Sequence, residues 1–153
     1  MSASRSPPTQ GEASLPLPDP LTVPAALPRI LLVEDEFLIA MSLEGDLRDG
    51  GYDVVGIAHS ANDAVAMAKA ERPDIVLMDI RLVGKRDGID AAFEIFNTTG
   101  IRCIFATAHG DPETVARAAP AAPLGWLHKP YNRDSLLSTV EAGLALLRRA
   151  PQN

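Results

Sequence analysis

The chain has 153 residues, 46% of them hydrophobic and 22% charged, which suits one globular domain with a core of ordinary size. Its net charge of −6 argues against a nucleic-acid surface, which needs clustered Lys and Arg. No apolar run approaches the ~20 residues that span a bilayer, and a single cysteine, Cys103, suits a reducing, cytoplasmic setting with no internal disulfide.

Residues 1–28 stand apart. They hold seven of the thirteen prolines and three charged residues, Arg5, Glu12 and Asp19. No basic start leads into an unbroken apolar core, so the stretch is not read as a secretory signal. Leu15-Pro16-Leu17-Pro18 favours extended polyproline conformations, and a disordered tail is expected, with a docking motif as the rival reading.

From Arg29 the pattern becomes regular. Ile30 to Val33 is a buried strand that runs into the acids Glu34-Asp35-Glu36. Phe37 to Asp49 follows with apolar residues near helical spacing, stopped by Gly50-Gly51. Asp53 to Ala58 is a second strand, and Ser60 caps an Ala-rich helix over Ala61 to Ala70. The next apolar run, Ile75 to Met78, lies between Asp74 and Asp79; it is too short for a lone helix and suits a strand buried on both faces. A polar loop, Val83 to Asp87, leads to a helix over Gly88 to Asn97 and a fourth strand over Arg102 to Thr107. Pro112 to Ala119 makes a short helix that Pro120 ends or kinks. Gly125 to His128 is the fifth strand and Asp134 to Arg149 the last helix, followed by a short tail at 150–153. In that helix Leu136, Val140, Leu144 and Leu147 can face the sheet, while Leu137 and Leu146 project to its flanks and could serve self-association or docking. Five strands alternating with five helices predict an α/β, doubly wound parallel sheet.

In such a sheet the strands' carboxyl ends share one crevice, where ligands bind. The alternation gathers Glu34, Asp35, Asp79, Thr107 and Lys129 there. Three carboxylates packed together repel one another, and a cation is needed to relieve them. Oxygen ligands with room for water suit Mg²⁺ better than zinc or copper. Lys129 is a point charge for phosphate oxygens, and the Thr107 hydroxyl can hydrogen-bond a phosphoryl group. In-line attack by the Asp79 carboxylate would give an acyl phosphate. His59, His109 and His128 also fall near strand ends, but no HxH or HxxxH spacing supports a transition-metal site.

Four stretches in order, LLVEDE (Leu31 to Glu36), DIVLMD (Asp74 to Asp79), FATAHG (Phe105 to Gly110) and HKPY (His128 to Tyr131), resemble the receiver domains of two-component response regulators. The resemblance covers residues 29–149 and implies a flavodoxin-like strand order, 2-1-3-4-5. It implies Glu34 and Asp35 as the acid pair for Mg²⁺, Asp79 as phosphoacceptor and metal ligand, Thr107 as switch hydroxyl and Lys129 as phosphate lysine. It also places the backbone carbonyl of Arg81 in the metal shell and a cis bond at Lys129-Pro130. A sensor histidine kinase is the implied partner, with a phosphotransfer protein or a second copy as further candidates, and turnover catalysis is not expected.

Three features depart from the usual receiver. The loop from Asp79 to Asp87-Gly88 is long, the switch aromatic is Trp126 in place of Tyr or Phe, and Arg81 and His109 fill the variable positions beside the acceptor. A dehalogenase-type phosphatase would need an acid where Arg81 stands, and a nucleotide-binding module would need a phosphate loop where Glu34-Asp35 stand. A degenerate receiver serving as a scaffold is the remaining alternative. With only Pro151-Gln152-Asn153 beyond the domain, action through partners is expected rather than an attached output domain.

Overall fold

A computed structural model describes residues 26–149. The readings for residues 1–25 and 150–153 lie outside it. The elements run β1 (Arg29–Val33), α1 (Phe37–Asp49), β2 (Asp53–Ala58), α2 (Ala61–Glu71), β3 (Ile75–Asp79), α3 (Gly88–Thr99), β4 (Arg102–Thr107), α4 (Pro112–Ala118), β5 (Gly125–His128) and α5 (Arg133–Arg149). The strands form one sheet in the order β2-β1-β3-β4-β5, and every neighbouring pair is parallel.

Two-residue periodicity divides the core. Leu31, Val33, Val76, Met78, Cys103 and Phe105 point to one face, where they meet Ala64, Val65 and Ala68 of α2 and Ala92 and Ile95 of α3. Ile30, Leu32, Ile75, Leu77 and Ile104 point to the other, against Ala40, Leu43 and Leu47 of α1 and Leu136, Val140 and Leu144 of α5. The β3 strand is central and buried at all five positions, which explains its unbroken apolar run.

Helix ends follow local chemistry. Ser60 Oγ accepts the Asp63 N–H at 3.1 Å and starts α2. Asp87 and Asp90 form a reciprocal capping box at the start of α3. That helix runs past the expected Asn97 to Thr99, because the stop signal is Gly100, which adopts φ +78°. The α4 helix ends at Ala118, one residue before the expected Ala119, and a 3₁₀ turn spans Ala119–Ala121. Pro120 lacks an N–H and its ring clashes with the preceding turn, so the chain tightens there.

The leucines of α5 sort differently from the spacing argument at one position. Leu136 is fully buried, and Leu137 also packs into the core cluster, with its methyls over Gly50. Leu146 alone among them is exposed, at 44%. The flank of α5 therefore carries one free leucine, not two. Leu136→Ala should cost about 2–5 kcal/mol in urea denaturation, and Leu146→Ala less than about 0.5 kcal/mol. Similar losses at both positions would contradict this assignment of the buried face.

Candidate functional site

Parallel register delivers the functional side chains to one place. Val33 pairs with Met78, Asp79 with Ala106, and Thr107 with His128. Glu34-Asp35, Asp79, Thr107 and Lys129 therefore leave the sheet side by side at its carboxyl end. Glu34, Asp35 and Asp79 each offer a carboxylate oxygen within 4.8 Å of the others. Glu34 and Asp79 are buried, at 2% and 5% exposure, and Asp35 is half-buried. The Lys129 ammonium lies 3.2 Å from Asp79 Oδ1, and the Lys129-Pro130 peptide bond is cis.

Backbone donors hold the cluster in place. Glu36 N–H donates to Glu34 Oε2 at 3.1 Å, and Arg81 N–H donates to Asp79 Oδ1 at 3.2 Å. Val83 N–H donates to Asp35 Oδ2 at 3.1 Å. Gly88, first residue of α3, presses on the back of Asp79: a Cβ there would collide with the Asp79 carbonyl oxygen. Only glycine fits so close an approach. The Thr107 hydroxyl is engaged within its own loop, donating to His109 O at 3.1 Å and accepting from His109 N–H at 3.0 Å. Trp126 stacks at a tilt on Phe105 with ring centroids 5.2 Å apart.

Burial pushes the Glu34 carboxyl up to about 7; the Asp79 charge adds to the rise, while the Glu36 N–H and Lys129 oppose it. Burial also lifts the Tyr131 hydroxyl to about 12, with the charges of Glu34, Asp79 and Asp46 contributing. A buried set of like charges, with one ammonium against three carboxylates, fits a hard divalent cation, and the donors are all oxygens.

The outer side of the site is clamped. Arg117 of α4 forks onto Asp87 at 2.7 and 2.9 Å and reaches Asp90 at 3.1 Å. Burial alone would raise the Asp87 pKa, but the Arg117 bonds and the Asp90 N–H hold it below the usual value. This clamp, the Val83 amide and the nearness of Tyr131 were not read from the sequence. The histidines do not converge on a metal-binding group: the one cluster of such ligands among the described residues is the three acids. His59 Nδ1 instead lies 3.0 Å from the Glu34 carbonyl oxygen.

The family model described as a response regulator receiver domain matches residues 30–141. The transcriptional regulatory protein PdtaR of Mycobacterium tuberculosis is 38% identical over 125 residues, which are 81% of this chain and 60% of PdtaR. The phyllosphere-induced regulator PhyR of Methylorubrum extorquens is 33% identical over 116 residues, 75% of this chain and 43% of PhyR. The matched region thus spans less than two thirds of either relative. The signal receiver domain of a modulated diguanylate cyclase from Desulfovibrio desulfuricans G20 superposes with a TM-score of 0.72 at 38% identity, covering 80% of this chain and 97% of that one.

The raised Glu34 pKa contributes to the pH response of the metal-free protein. Between the unfolded value of 4.5 and about 7, the folded state keeps a proton that the unfolded state has lost. Stability is therefore gained as pH falls through that window and lost as pH rises. In EDTA, the wild-type melting temperature should rise as pH drops from about 8 to about 5.5, and Glu34→Gln should flatten that slope. Parallel slopes for the two proteins would show that Glu34 titrates normally.

Proposed function

This chain belongs to the response regulator receiver family, and we propose on that premise that residues 29–149 accept a phosphoryl group from a sensor histidine kinase onto Asp79. The observation that carries this reading is the buried Asp79 carboxylate, grouped with two further acids and 3.2 Å from an ammonium at a strand's carboxyl end.

In the proposed step an Asp79 carboxylate oxygen attacks phosphorus in line. An O–P bond forms as the N–P bond of the kinase phosphohistidine breaks, and the electron pair stays with the imidazole. Lys129 neutralises a phosphoryl oxygen, and its present contact with Asp79 Oδ1 keeps the ammonium at the reacting carboxylate. Glu34, Asp35, Asp79 and the Arg81 backbone carbonyl would hold Mg²⁺, which supplies charge neutralisation for the phosphoryl oxygens. Water later cleaves the acyl phosphate, so the chain acts as a timed switch and not as a turnover enzyme.

The readout proposed for that switch begins at Thr107. Its hydroxyl has one hydrogen to donate, so a bond to the phosphoryl group replaces the one donated to His109 O, which remodels the turn leading to Asp111, the cap of α4. Trp126 packs on Phe105 beside that turn and senses the change. Two states biased by one bond suffice for regulation by population shift. Signals then leave through partner proteins, with the kinase, a phosphotransfer protein or a second copy as candidates. The cytoplasm is the proposed setting: Cys103 is a buried free thiol, and no helix of the described residues is long and apolar enough to cross a membrane. The grouping of Glu34, Asp35, Asp79 and Lys129 supports a phosphorylated receiver over a purely scaffolding one.

Acetyl phosphate with Mg²⁺ should label the wild type with acyl phosphate labile to acid, base and hydroxylamine, and change Trp126 emission. Asp79→Asn keeps the size and polarity of the acceptor but removes the nucleophile, so it should show neither response while remaining folded. Labelling of that variant at the wild-type rate would sink the assignment.

A further inference from the structure

The long loop between Asp79 and α3 does more than connect them. Its far end is anchored by Arg86, whose guanidinium donates to Asn62 Oδ1 of α2 at 3.0 Å and to Glu94 Oε1 of α3 at 2.6 Å. A weaker third contact reaches the Asp90 carbonyl at 3.5 Å. Its two ends are joined by Gly88 N–H donating to Ile80 O at 2.8 Å, and the near end is held by Ile80 and Leu82, which are buried in the core. Between these anchors Gly84, at φ +112°, turns the chain.

The product of that path is one contact. Val83 shows 75% of its surface to solvent, so its side chain adds little packing. Its N–H, however, meets Asp35 Oδ2 at 3.1 Å, 48 residues away in sequence. A carboxylate with one oxygen held by a fixed amide has the direction of its other oxygen set. The amide dipole also offsets part of the repulsion among the three acids.

The geometry points to Arg86 and the Val83 N–H as positioning groups for Asp35: by fixing the loop they orient that carboxylate for a divalent cation and tighten its binding. This rests on the functional reading above, in which Asp35 is a metal ligand. It adds a residue outside the acid cluster that tunes the site through a loop longer than the usual receiver's. Outer partners that orient metal ligands commonly change affinity by large factors, and here the effect passes through a backbone.

Calorimetric titration of MgCl₂ into the 153-residue chain tests it without any phosphoryl transfer. Arg86→Ala should raise the Mg²⁺ dissociation constant by roughly tenfold, the low end of the range for such partners. Val83→Pro, which lacks the N–H, should do the same, and Val83→Ala, which keeps it, should bind as the wild type does. Lys69→Ala is the control for general loosening: it removes the other ion pair of Glu94, 3.7 Å long, without touching the loop. Its Mg²⁺ affinity should be unchanged. Unaltered affinity in Arg86→Ala would overturn the inference alone, as would tighter binding, which would mean that the loop competes with the ion. Equal weakening in Lys69→Ala would also overturn it. No binding by the wild type would overturn the functional reading and this inference together.

Discussion

Repulsion among Glu34, Asp35 and Asp79, offset in part by the Lys129 ammonium and three backbone N–H groups, is the constraint on which the rest of the structure depends. Three carboxylates within 4.8 Å, two of them buried, cost stability in the absence of a cation. The fold tolerates that cost because the acids sit at the ends of strands whose burial is nearly complete. Ile30, Leu32, Ile75, Val76 and Leu77 leave almost no surface to solvent, so the central strands cannot shift to separate the charges. The hydrophobic sheet thus holds an electrostatically strained site in one geometry, as the proposed phosphoryl transfer would require of a preorganised centre.

The surroundings relay that strain outward. Gly88 is pressed on the Asp79 carbonyl, and Asp87 beside it is gripped by Arg117 from α4. The loop after Thr107 leads into that same α4 through the Asp111 cap. One guanidinium therefore ties together the two segments that leave β3 after Asp79 and β4 after Thr107. An exposed pair alone is worth little, but this fork meets two carboxylates of a capping box and fixes the position of a helix of seven residues. In the proposed switch, movement of the Thr107 turn must work against that clamp.

Much of this was legible in the sequence. The β2, β4 and β5 boundaries follow directly from apolar runs bounded by turn residues, and parallel alternation alone brings Glu34, Asp35, Asp79, Thr107 and Lys129 to one edge. Side chains carried by strands are legible because strand direction fixes where they end. The parts that escaped are carried by loops and long side chains. The Val83–Asp35 bond spans 48 residues and the Arg117–Asp87 pair 30, and neither leaves a periodic trace. Leu137 looked free on helical spacing, yet the close approach of Gly50 gives it a place to pack. The end of α4 depended on how the chain recovers after Pro120, which a 3₁₀ turn and Ala122 at φ +54° resolve.

The most direct test of the account is the melting temperature of Glu34→Gln/Asp35→Asn beside the wild type, each with and without Mg²⁺. If the cluster trades stability for cation binding, the double variant melts higher than the wild type in EDTA at about pH 8, where wild-type Glu34 is ionised and the variant lacks two like charges. Mg²⁺ then raises the wild type by mass action on a site present only in the folded state, and leaves the variant unmoved. A variant that melts lower in EDTA and is still stabilised by Mg²⁺ would show that the acids are structural and that the ion binds elsewhere.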